Sequence, residues 1–134
     1  MTQIIRDMLE ISRCGVQYRS DNLAQFGLKS IHASYLTEIC AQPGISQEQL
    51  ARRICINKSN VARQLVVLEE DGFVERRPSP EDKRAIQVFP TQKAKDALPQ
   101  IEDMFRRWQC FVAQDLSEEE RRCLTSMLAK MKDR

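Results

Sequence analysis

The sequence has no apolar run of about 18 residues, so no membrane-spanning helix is expected. Its start, MTQIIRDMLE, lacks the basic, apolar and small-residue succession of a signal peptide. The five cysteines are odd in number, widely spaced and form no CxxC pair, which argues against a disulfide framework and for a reducing, cytoplasmic location. Only four glycines and five prolines occur, which is few for a barrel or a disordered chain and favours a helix-rich fold.

The chemistry-bearing motifs of enzymes are also missing. A single histidine makes a His-rich zinc site implausible, and no GxGxxG, GxxxxGK[ST], HExxH or GxSxG pattern occurs. We therefore expect neither an enzyme nor a bound metal or cofactor. Lys and Arg number 21 against 19 Asp and Glu, a net charge of +2. Such a balance does not indicate a nucleic-acid partner, so that partner must be argued from where the charges lie.

Hydrophobic periodicity predicts a mainly α chain with one β-hairpin. Two polar segments fit capping boxes, Ser46–Gln49 and Ser117–Glu120, and each should start a helix. Pro99 is expected to bend the long fifth helix or break its first turns. The predicted helices cover residues 4–22, 30–41, 47–54, 58–71, 91–114 and 118 onward, and the predicted strands cover 73–77 and 85–89.

A short helix, a turn, a second helix and a hairpin follow one another, which is the winged helix-turn-helix order. In the second helix, 58–71, one face gathers Val61, Leu65 and Leu68, which should be buried. The opposite face carries side chains that can reach base edges, and Lys58 near the helix start suits a phosphate. An ordinary solvated surface helix remains the alternative. The residues on the opposite face are Ser59, Asn60, Arg63 and Val67.

The hairpin tip, residues 78–84, is polar and contains two prolines. Cations bracket it, and an arginine at a wing tip can enter a narrow minor groove, where Asp82 could hold it in place. A charged, solvated loop is again the alternative. The cations are Arg76, Arg77, Lys83 and Arg84.

These motifs together resemble the MarR family of bacterial transcriptional regulators. GISQEQLA (44–51) resembles the helix before the turn, and NKSNVAR (57–63) with LEEDGFVER (68–76) resembles the recognition helix. DKRA (82–85) resembles the wing, and the resemblance spans about residues 13–98. Asn57, Asn60 and Phe89-Pro90 depart from the family pattern, so base preference is not carried over.

The resemblance implies a winged helix-turn-helix lobe, 29–90, and a helical dimerisation region, 1–28 with 91–134. It also implies a homodimer that reads a palindrome in double-stranded DNA. Apolar stripes at 4–12, 101–112 and 124–131 agree with a dimer, because a chain this short could not bury them all. The residues expected to contact DNA are Asn57, Lys58, Ser59, Asn60, Arg63, Val67, Arg77, Lys83 and Arg84.

The resemblance further implies a repressor released by a small phenolic or aromatic ligand. Arg13, Tyr18, His32 and Tyr35 are the polar and aromatic candidates for that ligand site, although each could equally serve packing or surface. Two alternatives stay open: a protein-interaction scaffold with little DNA binding, and a thiol-based redox regulator.

Redox control is the less favoured of these alternatives. The family's peroxide-sensing position falls near Ile5, and Cys14 has only Arg13 as an adjacent cation. Cys40 and Cys55 are expected to face the core at helix ends, and Cys110 and Cys123 to lie in or near the dimerisation helices.

Overall fold

The computed structural model describes residues 2–133. Six α-helices, one short 3-10 helix (Ala24–Phe26) and three short strands form a winged helix-turn-helix lobe with long helices at both ends of the chain, and the expected fold class is confirmed. None of the helices in this range is both long enough and apolar enough to span a membrane. The elements are α1 (Gln3–Leu23), α2 (His32–Ala41), β1 (Ile45–Ser46), α3 (Gln47–Ile54), α4 (Lys58–Glu70), β2 (Val74–Pro78), β3 (Ile86–Pro90), α5 (Gln92–Val112) and α6 (Glu118–Lys132).

The helix-turn-helix begins and ends at sequence signals. Ser46 caps α3, since its hydroxyl accepts from the Gln49 N–H while the Gln49 side chain accepts from the Ser46 N–H, and the expected capping box is confirmed. The Asn57 side chain caps α4. At the other end of α4, Gly72 takes φ 81° and Phe73 N–H donates back to the Leu68 carbonyl, which turns the chain into the wing.

The wing is an antiparallel sheet of order β1-β3-β2. In it, Arg76 lies opposite Val88, and Arg77 lies opposite Gln87. The two hairpin strands each lie one residue later than predicted. Strand β1, only Ile45–Ser46, was not predicted, because two residues are too few to show an alternating pattern.

The core joins α2, α3, α4, the sheet and the first half of α5. Val61, Leu65 and Leu68 are completely buried, which confirms the predicted inner face of α4. Ile101 was expected to belong to an apolar dimerisation stripe. It is instead completely buried within this core.

Two effects were expected of Pro99, a bend of α5 or a break of its first turns. Helix α5 continues unbroken through Pro99, so the expected break is wrong. Pro99 is exposed, and the carbonyl four residues before it, of the exposed Lys95, can be hydrated. Cys55 is a second correction: it is exposed, with φ 55°, because it ends α3 in a left-handed conformation instead of packing inward.

Candidate nucleic-acid interface

The outer face of α4 presents side chains that are free of the core. Lys58, Ser59 and Arg63 are exposed, and Asn60 and Val67 are half-buried. Asn57 is partly committed to the fold, because its Oδ1 accepts from the Asn60 N–H at 2.8 Å and from the Ser59 hydroxyl at 2.9 Å. The start of α4 is therefore rigidly capped, while Arg63 stands one turn further along on the open face.

Lys58 has an acidic neighbour on α3. Its Nζ lies 3.0 Å from Glu48 Oε1, and both side chains are largely exposed. The hydrogen bond from Lys58 and its positive charge lower the pKa of Glu48, so this carboxylate stays ionised at neutral pH. The ion pair holds Lys58 at the start of α4, but Glu48 partly neutralises its charge. A DNA phosphate would have to compete with Glu48 for the Lys58 ammonium group.

The wing tip is a closed turn. Ser79 N–H donates to the Ala85 carbonyl at 2.8 Å, and Ala85 N–H donates to the Asp82 carbonyl at 3.0 Å. Asp82 Oδ1 accepts from the backbone N–H of Arg84 at 3.0 Å. Asp82 was expected to hold an arginine side chain. Its carboxylate instead accepts from the Arg84 backbone N–H and shapes the turn, while the Arg84 side chain stays exposed.

A cleft of about 310 Å³ connects the wing to the two helices of the helix-turn-helix. Lys58 and Arg84 lie on its two sides, together with the acids Glu48 and Asp82. The cleft brings together two cations that are 26 positions apart in the sequence. Its other lining residues are Ser46, Gln47, Ala85 and Ile86.

Arg77 and Arg76 differ in what they can do. Arg77 is exposed, its guanidinium lies 4.4 Å from the centre of the Phe89 ring, and it pairs with Glu75 at 2.8 Å. Arg76 is half-buried and turns toward α4, where it bonds to Glu69, and toward α3, where it reaches Gln47. Both arginines were counted among the cations of the hairpin, and only Arg77 was expected to contact DNA. The partners of Arg76, Glu69 and Gln47, were not predicted, because the face to which a strand residue points is known only with the register.

The four residues expected to bind a ligand do not gather at one cleft: His32 and Tyr35 lie together in the core, with ring centroids 6.3 Å apart, and Arg13 and Tyr18 lie on α1. Arg13 is exposed on α1, and the Tyr18 ring stacks on Trp108 of α5 at 5.3 Å. His32 and Tyr35 are 1% and 0% exposed, so in the monomer they offer no surface to a ligand. They were expected to line a ligand cleft, and the monomer does not show this. Their burial makes them core residues of the DNA-binding lobe.

The end helices carry a second surface. Among residues 2–133, the large hydrophobic side chains that stay exposed lie, apart from Val66, on α1, on the end of α5 and on α6. Helix α6 buries none of its residues. Phe111, at 64% exposed, and Met127, at 53%, are typical of this surface.

No group of three or more metal-ligating side chains is assembled within residues 2–133. The outer face of α4 and the wing together form the candidate nucleic-acid interface, on a winged helix-turn-helix fold.

Comparison with known proteins agrees with this class. The MarR family model matches residues 30–86. The chain is 32% identical over 97 residues to the HTH-type transcriptional regulator BilQ of Clostridium symbiosum, a match that covers 72% of this chain and 67% of that protein. It is 31% identical over 99 residues to the HTH-type transcriptional regulator YybA of Bacillus subtilis, covering 74% and 66%. The match thus spans about two thirds of these relatives.

Solved structures are similar over almost the whole chain. The transcriptional regulator SlyA superposes with a TM-score of 0.93 at 29% identity, covering 98% of this chain and 92% of that one. A MarR family regulator from Listeria monocytogenes, solved with a 26mer DNA, gives 0.94 at 26% identity, covering 99% and 89%. The chain belongs to the MarR family of transcriptional regulators.

Proposed function

We propose that this protein is a homodimeric repressor that binds a palindromic operator in double-stranded DNA through α4 and the wing. The observation that carries the proposal is the shared cleft, where Lys58 at the start of α4 and Arg84 at the wing tip face one site. Arg63 on the open face of α4 can read a guanine edge, and Arg84 and Lys83 can follow the backbone or the minor groove. The DNA complex of the Listeria relative supports the same use of the fold.

The second surface supports the homodimer. Apolar side chains on α1, α5 and α6 would cost free energy in water, and α6 has no buried residue that could hold it against its own chain. A second copy offers the same stripes, so twofold pairing would cover both at once. The dimer would then place two recognition helices on successive half-sites of a palindrome.

A small aromatic acid is the proposed releasing ligand. Tyr18 and Trp108 present stacked rings between α1 and α5, and the Arg107 guanidinium lies 6.0 Å from the Tyr18 ring centre. A cleft of about 250 Å³ lies beside them and includes Asn22, Met104 and Arg107. The Arg107 guanidinium is paired with Asp103 at 2.9 Å, so an aromatic carboxylate could stack on the rings and compete with Asp103 for the guanidinium. Of the residues proposed from the sequence, Tyr18 fits this place best.

The experiment that tests the proposal begins with purified chain and a pool of randomised duplexes. We expect the selected duplexes to share an inverted repeat. The logarithm of the association constant should fall by about 0.9 per neutralised phosphate for each tenfold increase in salt concentration. Sedimentation should give a dimer in the same buffer. Arg122→Ala is the control. It removes an exposed cation of α6, outside the proposed DNA interface, and should leave DNA affinity unchanged. Failure to enrich any sequence would favour the scaffold alternative.

We assign no enzymatic activity to the chain, and we expect it to act in the cytoplasm, where a bacterial regulator meets its operator.

A further inference from the structure

His32 makes two hydrogen bonds from inside the core. It is the only histidine of the sequence and the first residue of α2. Its Nδ1 accepts from the backbone N–H of Lys29 at 3.2 Å, and its Nε2 lies 2.8 Å from Oε1 of Gln64 on α4. Because Nδ1 is an acceptor, the ring proton of the neutral histidine sits on Nε2, and Nε2 donates to Gln64.

The surroundings keep this ring neutral. Burial lowers the pKa of His32 below its ordinary value, and the positive charge of Lys29 lowers it further, whereas the bond to Gln64 and the charge of Asp71 act in the opposite direction. The neighbouring Tyr35 ring meets His32 edge-on, with centroids 6.3 Å apart. A protonated ring would lose the bond from Lys29, since Nδ1 could no longer accept.

Gln64 stands at the boundary between the two faces of α4. It follows the exposed Arg63 and precedes the fully buried Leu65. A hydrogen bond to a side chain at this boundary depends on direction, so it resists rotation of the helix about its axis in addition to the packing of the buried apolar face. With side-chain tips roughly 6 Å from the axis, a rotation of about 10° moves a tip by about 1 Å.

We propose that His32 is a positioning residue for base recognition: through its bond to Gln64 it fixes the rotation of α4 and thereby the placement of Arg63 on the DNA. The inference rests on the proposed function. It assigns His32 a task in sequence discrimination without contact to DNA, from the core, and it assigns Gln64 as the receiving group.

Two substitutions separate the two bonds. The amide of His32→Gln can reach the position of Nε2 and donate to Gln64, while losing the acceptor for Lys29 N–H. The shorter His32→Asn can accept from Lys29 N–H in the position of Nδ1 but does not reach Gln64. Both place one amide in the same buried site, so differences between them report on the link to α4.

The experiment measures discrimination on the operator selected by the wild-type chain. For each variant, affinity is titrated for that operator and for operators with single base changes under the half-site. We expect His32→Gln to keep discrimination within about threefold of wild type and His32→Asn to lose about 5- to 100-fold. Affinity for unrelated duplex and its salt slope should be the same in both, because phosphate contacts are unaltered.

Gln64→Met supplies an independent arm. It removes the acceptor from the α4 side, should reproduce the loss seen in His32→Asn, and should add nothing to it in the double variant. Circular dichroism and thermal melting identify the temperature at which all variants are folded. Additive losses, or a loss of specific and unspecific binding by the same factor, would indicate a structural role only and overturn the inference.

Nitrogen-15 NMR of the labelled chain gives a readout that needs no DNA, since one histidine gives one pair of ring nitrogen signals. We expect the Nε2–H tautomer at neutral pH in wild type. The Nδ1–H tautomer would overturn the inference. A wild type that selects no sequence defeats the proposed function and the inference with it, whereas a wild type that selects an operator which His32→Asn discriminates equally well defeats the inference alone.

Discussion

Glu69 on the recognition helix and Arg76 on the first wing strand hold each other through both side chain and backbone. The Glu69 carboxylate accepts from the Arg76 backbone N–H at 3.0 Å and from the guanidinium at 3.1 and 3.3 Å. The pair is half-buried, and Gln47 of α3 lies 3.4 Å from the third guanidinium nitrogen. The acidic end of α4 is thus used to fix the angle between helix and wing.

Loosening this pair should weaken the fold and the wing together. Glu69→Gln keeps an acceptor oxygen but removes the charge, and we expect a loss of about 1 kcal/mol in the free energy of unfolding, measured with urea. Glu75→Gln is the matched control, because its pair with Arg77 is exposed and worth less than about 0.5 kcal/mol. Equal losses of stability in the two variants would contradict the view that the Glu69–Arg76 pair holds the wing against α4.

The same pair has a pH signature. Hydrogen bonds from Arg76 lower the pKa of Glu69 below its ordinary 4.5, so the folded chain binds this proton less readily than the unfolded chain. The stabilisation is therefore complete above the ordinary value and is lost as pH falls through the folded pKa. Between neutral and acidic pH, the free energy of unfolding should fall less in Glu69→Gln than in wild type.

Arg63 and Arg84 should fail in different ways. Arg63→Ala is expected to cost about 1–3 kcal/mol on the selected operator and to relax specificity at one base. Arg84→Ala is expected to weaken all duplexes more evenly and to reduce the salt slope by about one unit. Anisotropy titrations over a salt series separate the two. Unchanged affinity in both folded variants would contradict DNA binding by this face.

Folding should depend on association through α6. Leu128→Asp puts a carboxylate on the apolar stripe, and we expect unfolded or aggregated chains instead of a stable monomer, because an unpaired buried carboxylate is costly. Ser126→Asp adds the same charge about 160° away around the helix and should leave the dimer intact. Sedimentation and circular dichroism are the measurements, and a well-folded wild-type monomer at micromolar concentration would refute the expectation.

His32 should make the free energy of unfolding fall as the pH becomes mildly acidic. Since its pKa is lowered in the folded chain, the unfolded chain gains a proton first. Stability is then complete above the ordinary value of 6.5 and is lost as pH falls from there to the folded pKa. His32→Gln should remove this fall. A wild-type free energy of unfolding that is flat between about pH 7 and pH 5 would show that the ring is not held neutral.

Oxidants should have little effect on DNA affinity. Burial raises the pKa of the Cys40 thiol, which disfavours the reactive thiolate. Cys14 is exposed on α1, and the adjacent Arg13 points about 100° away around the helix. A titration with and without stoichiometric hydroperoxide, repeated on Cys14→Ser, tests this. Release in wild type that is lost in Cys14→Ser would make Cys14 a sensor.

Strong local signals made much of the fold predictable. Two capping boxes, the Asn57 cap and Gly72 are short-range features, and each begins or ends the expected helix. Pro99 does not break α5, because it lies on an exposed part of the helix surface, and that exposure is set by tertiary packing that the local sequence does not show.

The candidate site was predictable in composition but not in pairing. The sequence places Lys58, Arg63 and Arg84 on the helix and the wing, and the structure keeps their side chains exposed. It could not reveal that Arg76 turns to Glu69 or that His32 reaches Gln64, because those contacts join residues 7 and 32 positions apart through strand register and helix rotation.

Trp108 is the only tryptophan of the sequence, and it lies between Tyr18 and Phe111, with its indole nitrogen 3.3 Å from the point where a Cβ on Gly15 would stand. Its fluorescence therefore comes from one place, the junction between the first helix and the fifth. Emission should shift when that junction changes, whether through a bound aromatic compound or through a change in how the end helices are arranged. The chain thus carries its own optical probe at the junction proposed for the effector, and binding there can be followed without a label.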